Sequence, residues 1–221
     1  MSFTVKVLST AEVTHDVRRL TVEKPKGYEF VPGQATDVAI DKEGWHDEKR
    51  PFTFTSLNQW SELEFVIKIY PDHEGVTQKI GLLQAGDRLI IDEPWGAICY
   101  KGRGCFIAGG AGITPFIAII RDLQQKGELA GNQLIFSNKT ERDIILRDEF
   151  ESAHGLECVF TVTDQQKSQL SQGKIDQDFL KRVAQDFSQE FYVCGPNEMV
   201  EDIARHLKAL GAKPDAVTFE T

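Results

Sequence analysis

The stretch AGGAGITPF, Ala108–Phe116, decides how this chain is read. It follows the apolar run CFIA and leads into IAIIRDL, so the order is strand, glycine loop, helix. In that context the backbone N–H groups at the helix start can cradle a phosphate. The dinucleotide fingerprint G-x-G-x-x-G asks for glycine at its last position. Here Gly110 and Gly112 are followed by Pro115 instead. Proline suits the first helical turn, where its missing N–H costs nothing and its fixed φ fits. Read alone, the stretch is either a nucleotide loop of a different design or a helix-starting turn that holds no ligand.

Outward from this loop, the chain from Cys105 onward alternates. CFIAGG reads as a strand, PFIAIIRDLQQKG as a helix stopped by Gly127, NQLIFSNK as a strand and ILRDEFESA as a helix. LECVFTVTD and EFYVCG are further strands, and QDFLKRVAQD and NEMVEDIARHLKALG further helices. The segment AVTFET follows the last of these helices. Strands alternating with helices imply right-handed crossovers and a parallel sheet. Ligands of such sheets bind beyond the carboxyl ends of the strands, at the topological switch point. AGGAGITP and EFYVCGP both sit at strand ends, so the two glycine turns are expected to share one crevice.

Residues 1–98 have a different grammar: FTVKVLSTAEV, VRRLTVEKP, QATDVAI, RPFTFTS, LEFVIKIY and RLIIDEP are short strands between turn signals. Phe3, Val5 and Val7, like Phe65, Ile67 and Ile69, alternate with polar residues, the pattern of an antiparallel barrel or sandwich. GVTQKIGLLQ, residues 75–84, places Val76, Ile80 and Leu83 at helical spacing and predicts a short helix. The pattern breaks at WGAICYKGRG, residues 95–104. The expected fold is therefore β plus α/β: an N-terminal antiparallel six-stranded β-barrel over 1–99, then a Rossmann-like α/β domain with a parallel sheet over 100–221.

Composition narrows the function classes. The chain has 221 residues, of which 41% are hydrophobic and 27% charged, ordinary for a globular protein that buries a core. A net charge of −9 argues against sequence-independent nucleic-acid binding, which needs Lys and Arg against phosphates. No apolar run approaches the ~20 residues of a membrane helix, and the N-terminus lacks a signal-peptide h-region. Cys99, Cys105, Cys158 and Cys194 form no C-x-x-C pair, and the histidines are isolated from one another. These features predict a reduced, cytoplasmic protein with no zinc or iron–sulfur site.

Two motifs in the first half carry chemistry. RPFTFTS, residues 50–56, offers Arg50 for a bidentate phosphate contact, Phe52 as an aromatic face, and the hydroxyls of Thr53 and Ser56. Downstream, Gly75 and Thr77 open the short helix and offer a second anion site. Each motif also has a plain reading, as an edge strand and as a capped helix.

Together these motifs change the reading. R-x-[FY]-[ST]-x-x-S, a G-x-T helix start, strand–GGxGxxP–helix, and a strand ending in CGPxxM occur in this order over nearly the whole chain. In order and spacing the chain resembles the ferredoxin–NADP reductase family, in particular compact bacterial flavodoxin/ferredoxin reductases without a fused iron–sulfur domain. The resemblance implies that Arg50 holds flavin phosphate, that Phe52 packs on the flavin without the usual tyrosine hydroxyl, and that Thr53 contacts the ring near its reactive nitrogen. Ser56 closes the motif. Pro51, Lys68, Tyr70, Gly75, Val76 and Thr77 complete the implied flavin side, with Glu74 where the family usually has glycine. Gly110, Gly112, Thr114 and Pro115 then face the nicotinamide dinucleotide. Cys194, Gly195, Pro196 and Met199 form the turn beside the nicotinamide. Cys194 is read as a positioning group at hydride transfer, with a buried strand-end cysteine as the alternative. Phe219 matches an aromatic that covers the flavin, or is an inward-facing strand residue.

The chemistry so implied is that of a flavin-dependent NAD(P)H oxidoreductase. A reduced nicotinamide gives a hydride to the flavin, and electrons leave for a separate carrier such as ferredoxin or flavodoxin, or another acceptor. The resemblance favours FAD, with FMN as the alternative. Lys139 at the end of FSNK favours the 2′-phosphate of NADPH, whereas Asp164 at the end of TVTD opposes it. The balance leans slightly to NADPH. Alternative functions are a free-flavin or quinone reductase, a flavin-binding electron-transfer or regulatory subunit without turnover of its own, and a non-enzymatic binding protein.

Overall fold

The computed structural model describes residues 1–71, 75–96, 98–184 and 186–212, and the backbone of 217–219. Glu74 and the side chain of Phe219 lie outside the described residues. The chain divides into two units, Met1–Cys99 with Thr114–Arg121, and Tyr100–Ile113 with Asp122–Thr221.

The first unit contains β1 (Phe3–Thr14), β2 (Val17–Glu23), β3 (Ala35–Ile40), β4 (Arg50–Thr53), β5 (Glu62–Lys68), α1 (Val76–Ile80) and β6 (Arg88–Ile91). The six strands form an antiparallel sheet in the order β4-β3-β6-β1-β2-β5. Its two outer strands meet just past β4, where Phe54 bridges Phe65 and the Thr55 N–H donates to the Glu64 carbonyl at 2.9 Å. This closes the barrel and removes the exposed sheet edges that would otherwise template aggregation. Inside, Val5, Val7, Leu20, Ile40, Leu63 and Ile67 are fully covered, and Phe54 stacks on Phe30 with centroids 4.3 Å apart. The helix expected over 75–84 is shorter, Val76–Ile80. Gly81, a poor helix former, ends it: its N–H donates to the Thr77 carbonyl and the Leu82 N–H to the Lys79 carbonyl, and the Leu82 side chain points to solvent.

The second unit carries β7 (Gly104–Gly109) and the 3-10 turn Gly110–Ile113. That turn passes directly into α2 (Thr114–Lys126), whose left-handed cap Gly127 ends it as expected. Then come β8 (Asn132–Asn138), α3 (Arg147–Ser152), β9 (Leu156–Val162), β10 (Ser171–Gln172), α4 (Gln177–Val183), β11 (Glu190–Cys194), α5 (Asn197–Ala209) and β12 (Val217–Phe219). All pairings are parallel, in the order β10-β9-β8-β7-β11-β12. The two-residue β10 carries no sequence signal, because it is too short for periodicity.

β7 and the interior of β8 are buried on both faces, which is why they read as continuous apolar runs rather than alternating ones. On one face, Ile107, Ile135, Phe191 and Val193 form a core with Phe179, Leu180, Ile203 and Leu207 from α4 and α5. The Tyr192 hydroxyl accepts from the N–H groups of Lys101 (2.8 Å) and Gly102 (3.0 Å) and donates to the Gly102 carbonyl (2.7 Å), pinning the chain that enters β7. Burial pushes the Tyr192 phenol above its ordinary pKa, so it stays protonated and able to donate.

Candidate functional site

β7 is followed by β8 on one side in space and flanked by β11 on the other, so the sheet reverses its winding between β7 and β11. That is the switch point where a crevice must open. The ends of the two strands lie in register, Cys194 opposite Ala108, and the two glycine turns meet beyond them. A Cβ on Gly112 would lie 2.5 Å from the Cys194 carbonyl carbon and 2.6 Å from the Gly195 Cα. A Cβ on Gly109 would overlap the Met199 sulfur and lie 3.2 Å from Pro196 Cδ. The fold thus brings Gly112, Cys194, Gly195, Pro196 and Met199 together, along with Gly109, which the motif reading passed over. The signal for Gly109 was available in the doublet Gly109–Gly110.

Gly110 differs from its neighbours. It adopts φ +53° and has no atom within 4 Å of where a Cβ would stand, so the outer side of the loop is open. Neither α2 nor α5 has a side-chain cap on its first N–H groups, whereas Asp176 caps α4 through the Phe179 N–H at 2.7 Å. The helical turn Gly110–Ile113 leads into α2 and Pro196 into α5, and neither helix start carries a side-chain cap, an arrangement open to an anion such as a pyrophosphate. Pro115 occupies the first turn of α2 as expected, with Thr114 before it. Beyond β8 and β9, the Asp164 N–H donates to the Lys139 carbonyl at 2.9 Å. Their side chains, both exposed, therefore stand at neighbouring strand ends.

In the barrel, β4 places Arg50 and Pro51 at the surface, Phe52 partly buried against the core and Thr53 buried. The Arg50 side chain is 52% exposed and its Glu48 partner is 3.7 Å away. One guanidinium nitrogen donates to the Lys49 carbonyl at 2.7 Å, so much of the donor fork still faces outward. The neighbouring Lys49 is committed to Asp92 at 2.6 Å. That hydrogen bond, with one from Ser2, holds the Asp92 carboxyl below the usual range. Among the described residues the Thr53 hydroxyl makes no hydrogen bond. The Ser56 hydroxyl, by contrast, is fully buried and accepts the Glu64 N–H at 3.0 Å. Lys68 pairs with Asp16 at 2.9 Å. Burial raises the Asp16 carboxyl, but the Lys68 and Thr14 hydrogen bonds outweigh it and hold that group low. Tyr70 is exposed. Gly75 precedes α1, Val76 is buried within it, and Thr77 is half-buried.

The residues fit the groups their motifs suggest. An exposed arginine fork and an uncommitted threonine hydroxyl lie on one short strand. An open glycine turn stands beside uncapped helix starts at the switch point of the parallel sheet. A barrel of this kind joined to such a sheet defines the class of two-part dinucleotide-binding oxidoreductases.

Known proteins agree. The oxidoreductase FAD-binding domain matches residues 4–100, and the oxidoreductase NAD-binding domain matches residues 106–205. The chain is 29% identical over 226 residues to NADH-cytochrome b5 reductase 2 of Mycosarcoma maydis, covering 92% of this chain and 64% of that one. It is 28% identical over 218 residues to the reductase component of propane 2-monooxygenase from Rhodococcus jostii, covering 91% and 58%. A ferredoxin NADP+ reductase from Neisseria gonorrhoeae, solved with FAD and NADP bound, shares the fold at a TM-score of 0.85 and 20% identity, over 99% of this chain and 98% of that one. Taken together, the two matches span most of the chain, which belongs to the oxidoreductases with an FAD-binding and an NAD-binding domain. It spans roughly three fifths of the length of the two curated relatives. Among the described residues, no helix is long and apolar enough to cross a membrane.

Proposed function

We propose that this chain is a flavin-dependent NADH oxidoreductase that passes electrons from its bound flavin to a separate one-electron carrier, a ferredoxin, flavodoxin or similar acceptor. The observation that carries the reading is the meeting of the turns Gly109–Ile113 and Cys194–Met199 at the switch point, beside two uncapped helix starts. Residues 1–99 form the flavin-binding part and 100–221 the nucleotide-binding part in this reading. FAD, when bound, supplies hydride acceptance and one-electron release. Arg50 holds its phosphate, Phe52 packs on its ring, and the Thr53 hydroxyl hydrogen-bonds at the ring edge. Gly110, Gly112, Thr114 and Pro115 hold the nicotinamide dinucleotide, and Cys194 fixes the nicotinamide plane from the strand end. Four free cysteines suit a reducing, cytoplasmic compartment.

The choice of NADH reverses the slight lean that Lys139 gave toward NADPH. Lys139 and Asp164 stand at adjacent strand ends, so a 2′-phosphate attracted by one is repelled by the other. A ribose diol instead offers two donors to the Asp164 carboxylate. Replacing Asp164 by alanine is expected to raise the NADPH-to-NADH ratio of kcat/KM about 10-fold, the equivalent of ~1.4 kcal/mol. An unchanged ratio in steady-state assays removes Asp164 from the choice.

The reading as a whole is tested on purified protein. It is expected to bind FAD, to be yellow, and to be bleached by NADH without oxygen. Protein that takes up neither FAD nor FMN refutes the enzyme reading. Protein that binds flavin but is not reduced by either nucleotide is a subunit without turnover of its own. Arg50→Ala is expected to weaken FAD binding by about 1.5–3 kcal/mol, the range of a charged hydrogen bond. Titration giving the parent affinity excludes Arg50 from the site.

A further inference from the structure

The strand that carries Thr53 does not stop at Thr53. The next residues, Phe54 to Ser56, run on beside β5, held partly by the Glu64 backbone and, at Thr55, by two charged side chains. The Thr55 N–H donates to the Glu64 carbonyl at 2.9 Å, and its hydroxyl to Glu64 Oε1 at 2.8 Å. The Ser56 hydroxyl accepts the Glu64 N–H at 3.0 Å. Arg121, from the segment of α2 that clusters with the barrel, donates through one nitrogen to the Thr55 carbonyl and to Glu64 Oε1, each at 2.7 Å. Arg19 Nε stands 3.5 Å from Glu64 Oε2, and the Arg121 guanidinium lies over the Trp60 ring at 5.4 Å. The side chains of Glu64 and Arg121 are 11% and 12% exposed, and Thr55 and Ser56 are fully covered.

Period-2 alternation puts Glu64 on the outer face of β5, where a carboxylate belongs in water. Here that face is covered. A buried ion pair is no more stabilising than apolar side chains of similar volume, so stability alone does not account for it. What it provides is direction. One guanidinium nitrogen fixes a backbone carbonyl, and the carboxylate that orients it fixes the adjoining hydroxyl. Two residues upstream, the Thr53 hydroxyl has no hydrogen bond among the described residues, so its place is set by the backbone that carries it.

We propose that Arg121 and Glu64 are positioning residues for the flavin reaction: through the carbonyl and hydroxyl of Thr55 they fix the strand end that presents the Thr53 hydroxyl. This deepens the reading of Thr53 as a flavin contact and rests on that reading. Arginine suits the position because a lysine ammonium carries the charge but lacks the planar group that lies over the Trp60 ring while one nitrogen holds carbonyl and carboxylate.

The test compares FAD-loaded parent protein with Arg121→Lys and Glu64→Gln. Anaerobic stopped-flow reduction by NADH is measured beside the visible flavin spectrum and the thermal midpoint. Arg121→Lys, still folded and FAD-bound, is expected to reduce at least 10-fold more slowly, with a shifted flavin band and an NADH dissociation constant within twofold of the parent. Glu64→Gln keeps the shape and the acceptor oxygen but not the charge, and is expected to fall between the two. Parent-like rates and spectra in both folded variants overturn the proposal. So does a variant whose loss of rate only follows its loss of folded protein. If NADH reduces the parent protein but the variants match it, positioning alone is wrong. If neither NADH nor NADPH reduces the parent protein, the functional reading falls and takes this proposal with it.

Discussion

Replacing Gly112 by alanine will slow the reduction of bound FAD by NADH about 100-fold while leaving FAD binding unchanged. The added methyl would meet the Cys194 carbonyl carbon at 2.5 Å and the Gly195 Cα at 2.6 Å. Both are backbone atoms of the neighbouring turn and have no rotamer to yield. The two turns must part, yet β7 and β11 hold their ends in register, Ala108 opposite Cys194. Both walls of the crevice therefore shift, and a misplacement of about 1 Å at a reacting centre costs on the order of 100-fold. The flavin motif lies in the barrel unit, so flavin titration is the internal control. Gly110→Ala makes the contrast. It meets open space and strains only a positive φ, at a cost of roughly 1–2 kcal/mol, and its rate effect will be smaller. Rates for Gly112→Ala within threefold of the parent would show that the turns do not need their close approach.

The second large effect is on stability. Glu64→Ala is expected to lower the unfolding free energy by about 3–5 kcal/mol in urea, because it leaves Arg121 nearly buried without its carboxylate and takes the partner from the half-exposed Arg19. It also strands the Thr55 hydroxyl, which donates to the same oxygen. Changing both partners together, Glu64→Leu with Arg121→Leu, will recover most of the loss, since apolar groups of similar volume need no counter-charge. A loss below 1 kcal/mol for Glu64→Ala would mean that the pair is solvated. A double variant no better than the single would mean that the backbone hydrogen bonds, rather than the charges, carry the energy.

Much of this was legible in the chain itself. The change of grammar near residue 100 separated a strand-rich half from a half of alternating strands and helices, because a barrel built from short antiparallel strands and a buried parallel sheet demand different spacings of apolar residues. Gly110, Gly112 and Pro115 were readable because a turn before a helix start tolerates few residue types. Glu64 was not readable. Its alternation said surface, and only the packing of Arg121, 57 positions away in the chain, makes it interior. Lys68 and Ser56 looked available in sequence, and both carry partners in the fold, Asp16 and the Glu64 N–H. Lys139 and Asp164 gave opposing signals in the sequence, and only the pairing of β8 with β9 stands them at neighbouring strand ends.

By itself the sequence determined the two kinds of element, their order, and the residues that must make tight turns, because these depend on local backbone sterics and on the period of the apolar pattern. The tertiary structure alone decided which turn meets which, which hydroxyl is already bonded, and which charge is buried. Those follow from contacts between residues far apart in the chain. Local propensity carries no term for a partner that arrives only when the sheet closes.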